Sequence, residues 1–99
     1  MLHIINKSFP SHDALFSCLK HILPNNIIVL YEDGVLNSIE GSPGSKLLAE
    51  IININPIYAL SPDLSARGVS DRVISGILVI DYEDFVELVI QNKQIQPWI

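Results

Sequence analysis

Residues 27–31 read Ile-Ile-Val-Leu-Tyr, an uninterrupted apolar run rich in β-branched side chains. A strand with one face in water alternates apolar and polar residues, whereas a strand of a parallel sheet is covered on both faces and stays apolar throughout. Residues 2–5, 57–60 and 77–80 are further apolar runs of similar length. The pattern predicts an α/β fold with a parallel sheet. The side chains that we expect to be buried in it are Ile28, Leu30, Ile57, Ala59, Leu78 and Ile80.

The segments between the first three runs have the spacing of helices. Ser11 is a suitable N-cap for a helix that ends at Ile22, just before Pro24. Residues 40–44 are expected to form a loop, after which Ser45 is placed to cap a second helix. The apolar side of that helix consists of Leu47, Leu48, Ile51 and Ile52.

Two more helices flank the fourth apolar run. In the third helix Ser61 is expected to be the N-cap and Pro62 the first helical residue, and Gly68 stands where a helix commonly ends. Asp81 is expected to cap the fourth helix. The side chains of that helix that we expect to face inward are Phe85, Leu88 and Val89.

The alternation of strands and helices predicts one architecture. With right-handed crossovers, the chain is a single domain over residues 1–99, a three-layer α/β/α sandwich around a mainly parallel sheet. A short fifth strand is expected near residues 35–39 or at Val73. The order of the strands cannot be read from the pattern.

The composition points to a partner. Hydrophobic residues make up 48% of the 99 residues, and a domain of this size buries only roughly 60–70% of its unfolded surface. We therefore expect a hydrophobic patch that is covered only in an oligomer. The final Pro97-Trp98-Ile99 fits the same picture, since such an aromatic anchor fills a pocket in its own core or in a partner.

The charge argues against direct binding to nucleic acid. The formal net charge is −5, and a protein that follows phosphates clusters its basic residues. Here the six basic residues are dispersed along the chain, as Lys7, Lys20, Lys46, Arg67, Arg72 and Lys93.

The expected compartment is the cytoplasm. The opening residues, MLHIINKSFP, lack the basic region and long apolar core of a signal peptide, and no apolar run has the length of a membrane span. A single cysteine, Cys18, excludes an internal disulfide and a CxxC redox pair.

Cys18 is the first candidate for chemistry. One thiolate is enough to accept a sulfane sulfur, hold it as a persulfide and pass it to another thiol. His21, one turn further along the helix, could favour the thiolate if both side chains lie at a rim. The alternative is structural, because Cys18 falls on the same helical arc as Leu15 and Leu19, the side that faces the sheet.

Asp33 and Asp81 both follow strands, at the edge where open α/β sheets place ligand sites. A small-ligand-binding α/β module is therefore an alternative function of a different class. We expect structural roles instead, with Asp33-Gly34 forming a turn and Asp81 capping a helix. The histidines are not spaced like metal ligands, and no cofactor or metal is expected. They are His3, His12 and His21.

Five stretches, taken in order, carry a resemblance to a known family. LHIINKS at residues 2–8 is followed by SCLK at 17–20 and LYEDGV at 30–35. The long block SPDLSARGVSDRVISGILVIDYEDFVEL at 61–88 is the most specific, and QPWI closes the chain. In this order and spacing the stretches resemble the DsrH/TusB family. The resemblance covers nearly the whole chain and is least informative at residues 40–52.

The resemblance implies a DsrE-like fold and a place in the DsrEFH or TusBCD sulfurtransferases. These are heterohexamers with two copies of three related subunits, so it implies DsrE/TusD-like and DsrF/TusC-like partners and a DsrC/TusE-like sulfur acceptor. The DsrE or TusD subunit holds the principal cysteine, so this chain is not the principal catalytic subunit. Sulfur serves 2-thiolation of the tRNA wobble uridine in the Tus branch and dissimilatory sulfur oxidation in the Dsr branch. Cys18 matches the DsrH-type cysteine, which some TusB proteins lack.

Overall fold

The computed structural model describes all 99 residues. The strands are β1 (Leu2–Ile5), β2 (Ile27–Leu30), β3 (Ile57–Leu60), β4 (Leu78–Ile80) and β5 (Ile95–Trp98). The helices are α1 (Ala14–His21), α2 (Pro43–Ala49), α3 (Ser61–Ala66) and α4 (Tyr82–Gln91), with a 3₁₀ helix over Glu32–Ser38. None of the helices has the length and apolar character needed to cross a bilayer.

All five strands form one parallel sheet in the order β4-β3-β2-β1-β5. The α/β class and the parallel sheet predicted from the apolar runs are confirmed. The fifth strand is not where the sequence suggested. Residues 35–38 belong to the 3₁₀ helix, and Val73 makes only one isolated antiparallel bridge, to Ile39. β5 instead pairs with the free side of β1.

The main core lies on the face of the sheet covered by α1, α2 and α3. Each helix contributes a fully buried side chain, namely Leu15, Leu48 and Leu64. They pack with strand residues that point to this face, which are Ile5, Ile28, Leu30, Ile57 and Ala59. Four of the six strand side chains predicted to be buried are therefore buried, and all four belong to the inner strands β2 and β3.

The other two side chains expected to be buried lie on β4. Leu78 is exposed and Ile80 is only half-buried, so the prediction of full burial was wrong for both. The reason is that β4 is an edge strand and that both side chains point to the face of the sheet that carries only α4. Phe85 on α4 stacks on Tyr31, and no residue of α4 joins the main core. Phe85, Leu88 and Val89, expected to face inward, are half-buried.

The first two helices begin at different residues from those predicted. Ser11 is not the cap of α1, because residues 8–12 form a turn closed by the His12 amide and the Ser8 carbonyl at 3.0 Å. The first free amide, at Ala14, donates to Nδ1 of His12 instead. α2 begins at Pro43, so the predicted loop at residues 40–44 ends earlier, and its cap is Ser42, whose Oγ accepts from the Ser45 amide at 3.1 Å.

The last two helices follow the sequence closely. Gly68 comes directly after the C-cap of α3 with φ +68°, a left-handed conformation that suits glycine. Asp81 caps α4, since its Oδ1 accepts the Asp84 amide at 2.8 Å, and Oδ2 of Asp84 in turn accepts the Asp81 amide at 3.4 Å. The predicted end of α3 and the predicted cap of α4 are confirmed. Ser61 is not the cap of α3, because the N-cap is Leu60 and Ser61 is itself the first helical residue, with no capping bond from its side chain.

A buried histidine holds the C-terminal strand against β1. His3 is almost fully buried, and its Nδ1 accepts a hydrogen bond of 3.0 Å from Nε1 of Trp98. Its Nε2 lies 3.2 Å from Oδ1 of Asn26, an acceptor, so Nε2 carries the proton. The imidazole is therefore neutral, with both nitrogens satisfied. Trp98 therefore packs within its own chain, which is one of the two alternatives expected from the sequence; the other was a pocket in a partner.

Acid is expected to weaken the fold through His3. Burial is the main cause that lowers the pKa of His3 below its ordinary value of about 6.5. As the pH falls below about 6.5, the unfolded chain binds a proton at His3 that the folded chain resists, so the free energy of unfolding decreases. Denaturant unfolding followed by the fluorescence of the single tryptophan measures this decrease. His3→Gln should flatten the pH dependence, and a slope equal to that of the wild type would contradict the assignment.

Candidate functional site

Cys18 lies in the middle of the main core. α1 presents Ala14, Leu15 and Cys18 to the sheet, and the Cys18 side chain has no exposure to solvent. The helical arc inferred from the sequence therefore gives the correct side of the helix. In this chain alone, no acceptor thiol can reach the sulfur without a movement of α1.

The surroundings also disfavour the reactive form of the thiol. Burial raises the pKa of Cys18 to about 12, because the thiolate would lose its hydration in an apolar site. At neutral pH only about one molecule in 10⁵ carries the thiolate at that pKa. Attack on a sulfane sulfur requires the thiolate, so the geometry and the pKa both favour the structural alternative.

His21 does not assist Cys18. Its Nδ1 donates to the Ser17 carbonyl at 2.9 Å, and its ring stacks on Trp98 with the centroids 5.8 Å apart. Trp98 also stacks on His3 at 6.2 Å, so two of the three histidines serve to hold β5. Sequence spacing alone gave no signal for this cluster, because its members come from the two ends of the chain.

Asp33, at the carboxyl edge of the sheet, takes part in contacts between the 3₁₀ helix and α3. Nε and Nη2 of Arg67 both donate to Oδ1 of Asp33, at 2.9 and 2.8 Å, and Nη1 donates to the Asp63 carbonyl. Oδ2 of Asp63 accepts the Glu32 amide at 2.7 Å. Asp33 thus forms an ion pair that joins the 3₁₀ helix to the end of α3, a contact that was not predicted from the sequence.

A glycine is required at position 34 for a reason other than the turn predicted from the sequence. Gly34 lies in the 3₁₀ helix without a positive φ, and a Cβ there would overlap the carbonyl oxygen of Ile5. A glycine is needed because the 3₁₀ helix passes directly over the end of β1. The buried side chain of Asn37 fixes the same crossing, since it donates to the Lys7 carbonyl and accepts the Phe9 amide.

Asp81, the other carboxylate considered for ligand binding, is the N-cap of α4. No three of the potential metal-binding side chains lie together, and no cavity opens at this edge or elsewhere. The carboxyl edge of the sheet therefore holds acids that are committed to capping and to an ion pair. What remains distinctive is a buried thiol on α1 and a half-covered sheet face under α4.

Solved structures share this architecture. A protein of unknown function from Methanobacterium thermoautotrophicum superposes with a TM-score of 0.79 at 19% identity, covering 97% of this chain and 96% of its own. The ychN protein from E. coli gives 0.71 at 14% identity, with 97% of each chain covered. The fold thus defines a class of small three-layer proteins with a five-stranded parallel sheet.

Sequence similarity narrows the class to one family. The family described as DsrH like protein matches residues 7–95. Protein TusB from Pectobacterium parmentieri is 32% identical over 99 residues, covering 99% of this chain and all of the relative, and Protein TusB from Photorhabdus laumondii is 34% identical over 100 residues. The chain therefore belongs to the DsrH/TusB family. Membership makes it a subunit of a sulfur-relay complex of the type tied to tRNA thiolation.

The buried position of Cys18 predicts that its thiol is unreactive in the folded chain. Relative to an unfolded cysteine with a pKa near 8.5, a pKa of about 12 reduces the thiolate by roughly 10³-fold. Alkylation by iodoacetamide at neutral pH, followed by mass spectrometry, should be slower by at least that factor in the native chain than in denaturant. Comparable rates in both conditions would show that the sulfur is accessible.

Proposed function

We propose that this chain is an auxiliary subunit of a cytoplasmic sulfurtransferase complex that serves 2-thiolation of the tRNA wobble uridine. In this proposal it is a single-domain subunit, and it joins DsrE/TusD-like and DsrF/TusC-like subunits in a heterohexamer. The complex passes persulfide sulfur to a DsrC/TusE-like acceptor. The cysteine that does the chemistry belongs to the DsrE/TusD-like partner.

The observation that carries the tRNA branch is the length of the match to TusB proteins. The alignment covers the whole of the relative from Pectobacterium parmentieri and 99% of this chain. The match includes the termini, and in this chain the termini meet where His3 accepts from Trp98. Because the sequence match extends over both ends of the chain, which contact each other in the fold, it supports a subunit of the same kind as TusB.

The auxiliary role is supported by the state of Cys18. A carrier must form a thiolate and meet the donor and the acceptor in turn, and both steps require exposure. Cys18 is fully buried among Leu15 and the strands, and burial raises its pKa to about 12. The acidic net charge of −5 further supports a role that leaves contact with tRNA to other proteins.

A second candidate keeps the thiol active. In the DsrEFH branch, which serves dissimilatory sulfur oxidation, the matching cysteine of this subunit would carry a persulfide. The presence of Cys18 and the match to the family described as DsrH like protein favour this candidate. It requires α1 to move when the partners bind, because the sulfur is enclosed in the isolated chain.

Deletion of the gene in its host is expected to remove most 2-thiouridine from tRNA. Nucleosides from purified tRNA, separated and identified by mass spectrometry, give this quantity directly. A plasmid copy of the gene should restore the modification. An unchanged 2-thiouridine content in the deletion strain would contradict the tRNA branch, and a growth defect on reduced sulfur in that strain would favour the other.

Cys18→Ala separates the two roles of the thiol. The variant removes the sulfur without burying a hydroxyl, which would cost about 1–3 kcal/mol if left unpaired, as in Cys18→Ser. We expect the variant chain to assemble with its partners and to restore 2-thiouridine to the wild-type level. If the complex forms but sulfur transfer to the acceptor stops, and Cys18 of the wild type gains the mass of one sulfur atom, then Cys18 is a carrier.

A further inference from the structure

α4 is the only helix on its face of the sheet, and it is too narrow to cover that face. Strands lie about 4.8 Å apart, so five of them span roughly 19 Å, whereas a helix with its side chains is about 10–12 Å wide. Leu78 lies on this face, in register with Tyr58, and is 53% exposed. Ile95, at the opposite edge, is also exposed. The face is therefore open at its two edges, on both sides of the helix, whereas Leu2, Val29 and Leu60 on the inner strands of the same face are buried.

The helix α4 is rich in apolar residues, yet few of their side chains are shielded from solvent. Its sequence is Tyr-Glu-Asp-Phe-Val-Glu-Leu-Val-Ile-Gln, yet none of its residues is fully buried. Tyr82, Val86 and Ile90 are spaced four residues apart and form a stripe along one side of the helix, with Tyr82 63% and Ile90 71% exposed. A single exposed apolar side chain is ordinary, but a continuous stripe beside an open sheet face indicates a contact with another molecule.

The charges around the stripe restrict the kind of molecule that can bind to this face. Residues 78–91 contain the acids Asp81, Glu83, Asp84 and Glu87, all exposed, and no Lys or Arg. Asp81 and Asp84 cap the helix, but Glu87 lies too far along α4 to act on its N-terminus. A second copy would place these acids against one another across a twofold axis, and nucleic acid or an anionic membrane would be repelled. The complementary surface is apolar at its centre with Lys and Arg around it.

We propose that the α4 face, consisting of Leu78, the stripe and the four surrounding acids, docks a folded partner subunit of the relay complex. That partner presents an apolar patch rimmed by Lys and Arg. The inference rests on the proposed function, since it takes the partner subunits as given. A specific contact buries about 800 Å² on each side, so it includes the open sheet face as well as the stripe. Docking completes the burial that α4 lacks in the isolated chain.

The test measures the affinity of the full chain for the co-expressed DsrE/TusD-like and DsrF/TusC-like subunits by titration calorimetry. Ile90→Lys should weaken binding at least tenfold, because it places a charge in the apolar centre. Glu87→Lys should weaken binding and reduce its dependence on salt, because it removes an attraction to a basic rim. Leu23→Lys is the matched control, an apolar residue 65% exposed between α1 and β2, and should leave the affinity unchanged. Thermal unfolding confirms that each variant is folded.

Each outcome bears on the proposal. If the wild type binds and Ile90→Lys binds equally well, or if Leu23→Lys loses as much affinity, the α4 face is not the docking surface while the proposed function stands. If the wild type binds neither subunit, the proposed function fails and the inference fails with it. If sedimentation shows a dimer of the chain alone that Ile90→Lys disrupts, the occupant is a second copy and the basic-rimmed partner is rejected.

Discussion

The parallel pairing of β5 with β1 determines how the rest of the chain is arranged. Strands β1 to β4 step in one direction across the sheet, so β4 ends at the edge farthest from the free side of β1. Because crossovers are right-handed, the first three helices lie on one face, and α4, which returns across the sheet, lies on the other. The bond from Trp98 to neutral His3 secures this return. One face thus receives three helices and a complete core, and the other receives a single helix.

The same pairing explains which strands could be recognised from the sequence. β1, β2 and β3 are inner strands covered on both faces, so burial leaves a run at each that is apolar except for His3 in β1. β5 is an edge strand, and Gln96 and Pro97 break its apolar pattern. In the parallel ladder the Leu2 amide bonds to the Gln94 carbonyl, so alternate residues of β5 face β1 and Pro97 faces outward, where no amide is required. Leu78 was misjudged for a related reason, because an apolar run does not reveal that its strand is at an edge.

Local chemistry was readable where it involved neighbours in sequence and not elsewhere. The box between Asp81 and Asp84 spans three residues, and the arc that buries Cys18 is a property of one helix, so both follow from spacing. Arg67 is 34 residues from Asp33, and Trp98 is 95 residues from His3, so these contacts depend on the strand order, which the pattern does not specify. The predicted start of α1 was wrong although the residues are close in sequence. The ring of His12 caps this helix, whereas the prediction relied on the preference for serine hydroxyl groups at N-caps.

The unequal faces also separate stability from function in this subunit. Sulfur transfer needs a thiolate that two other proteins can reach, and the face with three helices encloses the only thiol in a site that raises its pKa to about 12. That face is therefore suited to holding the fold together. On the face with one helix, α4 is capped at Asp81 and held by the contact of Phe85 with Tyr31, yet its apolar side chains remain partly in water. An apolar, acid-rimmed surface of this kind is what the auxiliary subunit proposed above would contribute to assembly, because a contact that the fold already holds in place loses little entropy on binding.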